Sequence, residues 1–222
     1  MQTLRPAGAF WFLAVSVVGV VLAGQEPTTK PASPGPKAGA EGATAASAGV
    51  KIAQDAADFA LDDCNGKPEK LAGYKDKVVV LVWANKDCPV FRPCVPDIKE
   101  LHKKYAAKGV VWLGIDSTAG HTPEQNVEFV KQTELTLPIL MDLDGKVARA
   151  YGAKTTPHVF VINKGKLVYM GALHNNPSHN LAAGDVRNYV DEALTAVLAG
   201  KDVPLAETTP WGCGVKYREE KK

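Results

Sequence analysis

The sequence predicts an α/β domain in which a central mixed β-sheet is flanked by helices. Two valine-rich apolar runs, residues 78–84 and 110–115, have the length and composition of strands covered on both faces. The segment between them has apolar residues at helical spacing, and strand, helix and strand in this order imply a right-handed parallel crossover. Further on, two β-rich runs meet at residues 163–165, Asn-Lys-Gly, a composition typical of a hairpin turn. Parallel and antiparallel neighbours together predict a mixed sheet.

The other elements follow from local signals along the chain. Gly109 ends the first helix, and Thr122 with Pro123 opens the second as its cap and first residue. In chain order we predict a hairpin over residues 58–67, a strand at 78–84, a helix at 97–107, a strand at 110–115, a helix from 122, a strand at 137–140, a short helix at 147–151, paired strands at 158–162 and 166–170, and a last helix at 186–198.

The chain divides into four segments by composition. Residues 1–24 hold an apolar run that predicts a secretory signal peptide or an uncleaved membrane anchor. Residues 25–50 are rich in Pro, Ala and Gly and predict a disordered linker. We expect one domain over residues 51–203 and a C-terminal tail over 204–222. Both N-terminal alternatives put the domain outside the cytoplasm, periplasmic or secreted, where disulfides persist.

The overall charge restricts the class of partner. The 222 residues carry a formal net charge of +2, with nearly equal numbers of acidic and basic side chains. This balance gives no indication of a nucleic-acid surface. We therefore expect a protein or a small molecule as partner, and contact with a membrane only through an uncleaved N-terminal anchor.

Cys88 comes four residues after the end of the first valine-rich run, at a predicted helix start with Pro89 in the first helical position. A helix N-terminus lowers the pKa of such a thiol because its unpaired N–H groups and the helix dipole stabilise the thiolate. Lys86 and Arg92 favour the thiolate as well, whereas Asp87 opposes it. We expect Cys88 to be a nucleophile; the alternative is a small buried apolar residue.

The second cysteine of this region, Cys94, lies six residues after Cys88. In an unbroken helix this spacing puts the two Cα atoms ~10 Å apart, whereas a disulfide spans at most ~7 Å. The two cysteines can pair only if the first helical turn is irregular, which Pro93 and Pro96 favour. Two alternatives stay open: a Cys88–Cys94 disulfide in one redox state, and a Cys94 that packs into the core.

The remaining cysteines and the histidines give weaker signals. We expect Cys64 in an exposed turn and Cys213 in a glycine-flanked tail that can move. Cys213 could resolve an intermediate on Cys88 or join the tail to Cys64, and the sequence does not choose between these pairings. Three histidines are expected to be surface or loop residues, and neither a metal ion nor a cofactor is predicted: His158, His174 and His179.

Several motifs in this order resemble the thioredoxin-like redoxins of the alkyl-hydroperoxide-reductase and thiol-specific-antioxidant type. The resemblance spans about residues 51–217. It rests on the N-terminal hairpin, the strand and turn before Cys88, the segment at 140–152, the Thr-Thr-Pro-His loop at 155–158 and the terminal Trp-Gly-Cys-Gly-Val-Lys-Tyr of 211–217. The terminal segment is similar to the end of a peroxiredoxin-like subgroup.

The resemblance implies a thioredoxin-like fold with an N-terminal β-hairpin extension. It also implies that Thr156 and a cis Pro157 line the site and face the nucleophile. In thioredoxins a proline lies eight residues after the first active-site cysteine, and Pro96 stands eight residues after Cys88. Cys88 therefore aligns with the nucleophile, and Phe91 occupies the position of the family's usual second cysteine.

The resemblance implies an oxidoreductase, but three functions stay open. The first is an extracytoplasmic thiol-disulfide oxidoreductase acting on protein thiols or disulfides, in which Cys88 attacks, Cys94 or Cys213 resolves, and an unidentified reductant completes the cycle. The second is a thiol peroxidase acting on a hydroperoxide. Against it, the Thr or Ser that precedes the peroxidatic cysteine by three residues is replaced by Asn85 before Cys88 and by Phe91 before Cys94. The third is a binding module without turnover.

Overall fold

The computed structural model describes residues 49–218, which fold around a five-stranded mixed sheet. The strand order is β5-β4-β3-β7-β8, in which β3, β4 and β5 are parallel and β7 and β8 are antiparallel to their neighbours. These strands are β3 (Val78–Trp83), β4 (Val111–Asp116), β5 (Ile139–Met141), β7 (Val159–Asn163) and β8 (Lys166–Gly171). The predicted mixed sheet is confirmed, including the parallel crossover and the hairpin at residues 163–165.

Two small antiparallel pairs lie outside this sheet. The first is the predicted N-terminal hairpin, β1 (Ala60–Asp62) with β2 (Pro68–Lys70). The second joins β6 (Thr155–Thr156) to β9 (Cys213–Gly214) in the C-terminal tail, and no sequence signal predicted it. The helices are α1 (Val95–Ala106), α2 (Pro123–Thr133), α3 (Lys146–Tyr151) and α4 (Tyr189–Leu198), with short 3-10 helices at Leu71–Tyr74, Arg92–Cys94 and Ala183–Asp185.

The sheet is covered on both faces, as its continuous apolar strands predict. Along β3 the side chains alternate, because successive Cβ atoms of a strand point to opposite faces. Val80 and Val82 join the cluster that includes the buried faces of α1 and α4. Leu81 and Trp83 join a second cluster that includes α3 and the N-terminal hairpin. The strand end that leads to Cys88 is thereby held from both sides.

Two helix starts differ from the prediction. Helix α1 begins at Val95, two residues before the predicted helix at 97–107. The helix start predicted at Cys88 is wrong, because the residues between Cys88 and Val95 form turns and the 3-10 helix Arg92–Cys94. Helix α4 begins at Tyr189 instead of residue 186, since the Asn188 side chain accepts a hydrogen bond from the Asp191 amide and caps the helix there. The predicted cap at Thr122 is present as a full capping box with Gln125.

The C-terminal tail packs against the domain in the part of the chain that the structure describes. The Trp211 ring nitrogen donates a hydrogen bond to the His174 carbonyl oxygen at 2.8 Å, and the Tyr217 hydroxyl donates to the Ala153 carbonyl oxygen at 2.8 Å. Between them, the Val215 amide donates to the Lys154 carbonyl oxygen at 3.1 Å. The paired tail replaces the mobile one that its flanking glycines suggested.

The predicted signal peptide or anchor, residues 1–24, and most of the predicted linker, residues 25–50, lie outside the described residues. Within residues 49–218 there is no helix whose length and apolar character would let it cross a membrane.

Candidate functional site

Cys88 lies just beyond the end of β3, in a turn that precedes the 3-10 helix. Its thiol donates to the Thr156 carbonyl oxygen at 3.3 Å and accepts from the Phe91 amide at 3.3 Å. The turn is fixed by a hydrogen bond from the Arg92 amide to the Cys88 carbonyl oxygen at 3.1 Å. The side chain is only 2% exposed. Cys88 is therefore held between the start of the helical segment and the loop before Pro157.

The second thiol at this position belongs to the tail. Cys213 pairs with Thr156 across the β6–β9 ladder, and Gly214 pairs with Thr155. The Cys213 thiol is close enough to Cys88 for the pKa values of the two thiols to depend on each other. Cys213 is half-buried, whereas Cys88 is buried. The tail thus brings a cysteine to Cys88 from more than one hundred residues away in sequence.

The two thiols have opposite pKa shifts. Burial raises the pKa of Cys88, but hydrogen bonds from Cys213, Thr156 and Phe91 outweigh it and leave this pKa below its ordinary value. The hydrogen bond that Cys213 gives to Cys88 raises the pKa of Cys213, and its burial adds to this. Of the two, Cys88 is accordingly the thiol that loses its proton more readily.

The charged neighbours that we expected to act on Cys88 are engaged elsewhere. Lys86 forms an ion pair with Asp87 at 2.8 Å. Arg92 donates to the Lys86 carbonyl oxygen at 3.0 Å and covers the Phe129 ring. The Cys88 sulphur accepts a hydrogen bond from the neutral Phe91 amide instead.

Thr156 and Pro157 form the opposite wall, and the Thr156–Pro157 peptide bond is cis, as the family resemblance implies. The Thr156 carbonyl oxygen faces the Cys88 thiol, while the Thr156 hydroxyl donates to the Cys213 carbonyl oxygen at 3.4 Å. Gly212 approaches this loop so closely that a Cβ atom there would lie 2.2 Å from the Thr156 oxygen. Only glycine fits, since its φ of +130° is also rare for other residues.

Cys94 forms no disulfide with Cys88, although the first turn is irregular as a disulfide would require. All four cysteines are free thiols, and the Cys94 thiol donates to the Val90 carbonyl oxygen at 3.2 Å. It lies 3.6 Å from Nε2 of His179. Burial, with Asp97 and Cys88 nearby, raises the pKa of Cys94 to about 12. Phe91, at the usual position of the second cysteine, is buried and contacts the Phe129 ring.

One prediction of exposure was wrong, and two of the three histidines predicted to be surface or loop residues are buried in loops. Cys64 is buried, since its amide donates to the Ile139 carbonyl oxygen and docks the hairpin turn on the sheet. His158 is buried as well, and burial beside Lys154 lowers its pKa to about 3. His174 is 1% exposed, whereas His179 is exposed as expected. The local sequence predicts turns and loops at these residues, but it does not show which other segments pack over them.

A charged network supports the turn before Cys88. His121 lies between two carboxylates, with Nδ1 2.6 Å from Asp116 Oδ2 and Nε2 3.0 Å from Asp87 Oδ2. The hydrogen bond to Asp116 raises the pKa of His121 against the effect of burial, and Asp87 adds to the rise. The network fixes Asp87, whose amide donates to Asn85 Oδ1 at 2.8 Å.

The β6–β9 pairing is the feature of the site that sequence reasoning missed. Its one signal was the Gly-Cys-Gly of residues 212–214, which suggested mobility. Glycine also permits close backbone approach, and at Gly212 that second property applies. The sequence of the tail alone does not show whether its glycines provide mobility or close approach to a partner strand.

Comparison with known proteins agrees with this geometry. Residues 52–170 match the model of the AhpC/TSA family, which is more than half of the chain. The chain belongs to the AhpC/TSA family. It is 32% identical over 123 residues to a thiol-disulfide oxidoreductase ResA from Bacillus thuringiensis, an alignment that covers 54% of this chain and 68% of the relative.

Two solved structures are similar over a longer span. A hypothetical protein from Sinorhizobium meliloti 1021 has a TM-score of 0.71 at 28% identity, covering 78% of this chain and 98% of its own. An uncharacterized conserved protein from Geobacillus kaustophilus has a TM-score of 0.72 at 26% identity, covering 79% and 96%. The likeness therefore extends well past the 54% of the chain that aligns with the oxidoreductase.

The arrangement can carry out thiol chemistry. Dithiol exchange requires a thiol with a lowered pKa and a second thiol that can attack the mixed disulfide formed on the first. Here a backbone edge that could contact a substrate also lies beside both thiols. The structure brings together Cys88, Thr156, Pro157 and Cys213, and it leaves Cys94 in a separate environment.

Proposed function

We propose that this protein is a thiol-disulfide oxidoreductase in which Cys88 is the nucleophile and Cys213 the resolving thiol. The observation that carries this proposal is the β6–β9 pairing, which places Cys213 opposite Thr156, whose carbonyl oxygen lies 3.3 Å from the Cys88 sulphur. The opposite pKa shifts of the two cysteines support it. The sequence identity to a thiol-disulfide oxidoreductase supports the reaction class. The partners are protein thiols or disulfides, and a separate dithiol reductant completes the cycle.

In the reducing direction the exchange has three steps. The Cys88 thiolate attacks a substrate disulfide, forming a mixed disulfide and releasing one substrate thiolate. Cys213, having lost its proton, attacks the Cys88 sulphur, forming a Cys88–Cys213 disulfide and releasing the second substrate thiolate. A dithiol reductant then returns both cysteines to thiols and is itself oxidised. Thr156 and Pro157 position the substrate sulphur beside Cys88. The reverse sequence would oxidise a substrate dithiol.

The proposal includes a location outside the cytoplasm, supported by the apolar run of residues 1–24. An oxidising compartment suits a cysteine pair that cycles through a disulfide.

Thiol peroxidase activity is a second candidate, and the burial of Cys88 favours it. With 2% exposure under the tail, Cys88 is easier to reach for a small hydroperoxide than for a protein disulfide. In that reaction Cys88 would become a sulfenic acid with release of an alcohol or water, and Cys213 would condense with it to a disulfide and a second water.

One set of assays tests both functions. Insulin-disulfide reduction and hydrogen-peroxide consumption are measured for the wild type, Cys88→Ser, Cys213→Ser and the control Cys64→Ser. We expect disulfide reduction that requires Cys88 and falls with Cys213→Ser, and mass spectrometry of the oxidised protein should show a Cys88–Cys213 disulfide. Cys88-dependent peroxide consumption without disulfide reduction would replace the first function by the second. A Cys88–Cys94 disulfide would remove Cys213 as the resolving thiol.

A further inference from the structure

Next to the thiol pair lies a second cluster of chemically reactive side chains that the proposed function does not use. It consists of Cys94, His174 and His179, each of which offers one ligand atom, and these three atoms all lie within 4.8 Å of one another. Cys94 comes from the 3-10 helix, and the two histidines come from the loop between β8 and α4. Segments far apart in sequence thus converge on one point.

One spacing in the cluster matches that of two ligands on a tetrahedral ion, and the other two are no longer than 4.8 Å. Zinc–sulphur and zinc–nitrogen bonds of ~2.3 and ~2.0 Å give ligand separations of about 3.3–3.6 Å at tetrahedral angles. Cys94 Sγ and His179 Nε2 are 3.6 Å apart. His174 Nε2 and Asp97 Oδ2 are 3.3 Å apart, which makes this carboxylate the nearest oxygen donor for a fourth position.

A buried nitrogen without a hydrogen bond points into the cluster. Nε2 of His174 has no hydrogen-bond partner among the described residues, although the side chain is 1% exposed. Its contact with the Asp97 carboxylate is close in distance but lacks hydrogen-bond geometry. A buried polar atom of this kind destabilises the folded state unless a hydrogen-bond partner or a bound ion contacts it.

The surrounding loop holds both histidine rings in place. The Asn176 side chain accepts the amides of Asn180 and Leu181 at 3.0 and 3.3 Å, which fixes the turn that carries His179. His179 has a φ of +51°, a conformation uncommon for residues other than glycine. The Trp211 ring packs against the His174 ring at 4.9 Å and closes the cluster from the tail side.

We propose that Cys94, His174 and His179 form a binding site for a divalent ion of the zinc class, with Asp97 or water as the fourth ligand. One thiolate and two imidazoles are a donor set that zinc prefers. Binding displaces the Cys94 proton into solvent and leaves the oxidation state of the sulphur unchanged. The cation also compensates a buried thiolate beside Asp97, which burial alone disfavours.

Binding has one structural consequence. Nδ1 of His174 accepts the Asn176 amide at 3.1 Å, so in the ion-free ring the proton is on Nε2. An ion on Nε2 moves that proton to Nδ1, and the Asn176 hydrogen bond must then break. The turn at 175–176 therefore adjusts when the ion binds, which gives a readout independent of activity.

The test is titration of the reduced full-length protein with Zn(II) and with Co(II), whose spectrum reports tetrahedral geometry and thiolate ligation. We expect one ion per chain, a thiolate-to-cobalt absorption band, and faster amide hydrogen exchange at Asn176 in the zinc-loaded protein. Cys94→Ala and His179→Ala should each weaken binding by ~100-fold or more, because each removes a ligand. His179 is exposed, so its variant should fold even if the buried Cys94 variant does not.

Three control variants locate the ion. Cys64→Ser and His102→Ala remove a cysteine and a histidine elsewhere and should leave binding unchanged. The double variant Cys88→Ser/Cys213→Ser should also bind one ion, and this result holds whether or not the proposed catalytic pair is correct. No binding to the wild type would overturn the site. So would binding that survives both Cys94→Ala and His179→Ala but disappears with the double variant.

Discussion

Cys88 and Cys94 lie six residues apart on one short segment, yet their surroundings are opposite. Cys88 receives hydrogen bonds from Cys213 and the Phe91 amide, and its pKa is lowered. The Cys94 thiol donates a hydrogen bond to the Val90 carbonyl oxygen, and the pKa of Cys94 is raised to about 12. The C-terminal tail brings Cys213 to Cys88, whereas the loop between β8 and α4 brings His179 to Cys94. The six-residue spacing therefore gives two thiols with different hydrogen-bond partners, and we propose a different role for each.

The largest effect expected from this difference concerns turnover. Cys88→Ser should reduce disulfide reduction by ~10³-fold or more, because a hydroxyl at this position is not ionised at neutral pH. Cys94→Ala should leave the rate within about threefold, since the hydrogen bond of its thiol goes to the Val90 carbonyl oxygen and not to Cys88. Steady-state insulin reduction checks both variants, with circular dichroism to confirm folding. Equal losses for the two variants would contradict the division into two sites.

The next effect concerns the resolving step. Cys213→Ser should lower turnover by ~10–100-fold and should accumulate a mixed disulfide between Cys88 and the substrate, because no adjacent thiol can displace the substrate. Mass spectrometry of the quenched reaction detects this adduct. Release of the substrate at the wild-type rate, with a Cys88–Cys94 disulfide as product, would show that Cys94 resolves instead.

The tail's contact can be tested with a matched pair of glycines. Gly212→Ala adds a Cβ atom 2.2 Å from the Thr156 oxygen, at a φ of +130° whose strain alone costs about 1–3 kcal/mol. The tail should detach, so Cys88 should react ~10-fold faster with a bulky alkylating reagent. Gly214→Ala is the control, because its Cβ would come no closer than 4.0 Å to the Lys154 oxygen. Similar alkylation rates in both variants would mean that the tail does not cover Cys88.

These tests also mark what the sequence predicted. The valine-rich strands, the two hairpins and the cis bond at Pro157 depend on local composition or on a motif, and each is confirmed. Cys88 was found from its position at a strand end, although the donors around it are not the predicted Lys86 and Arg92. The site residues whose surroundings were missed, Cys213 and His174, have partners from other segments. Local patterns carry no information about such contacts, since tertiary packing alone brings the partners together.

The smallest effect expected is the pH dependence of the network beside Cys88. His121 lies between Asp116 and Asp87, and only the protonated ring has an N–H for each carboxylate. Its pKa is raised in the folded state, so its stabilising contribution is fully present below the unfolded value of ~6.5 and is lost as the pH rises through the folded pKa. Hydrogen bonds to charged groups contribute roughly 1.5–3 kcal/mol.

His121→Gln should therefore lower the melting temperature by several degrees at pH 6 and by much less at pH 9, as measured by thermal unfolding. His102→Gln is the control, because burial lowers the pKa of His102 and its contribution should change in the opposite direction with pH. A deficit for His121→Gln that grows from pH 6 to pH 9 would show that the neutral ring, and not the charged one, holds Asp87 beside Cys88.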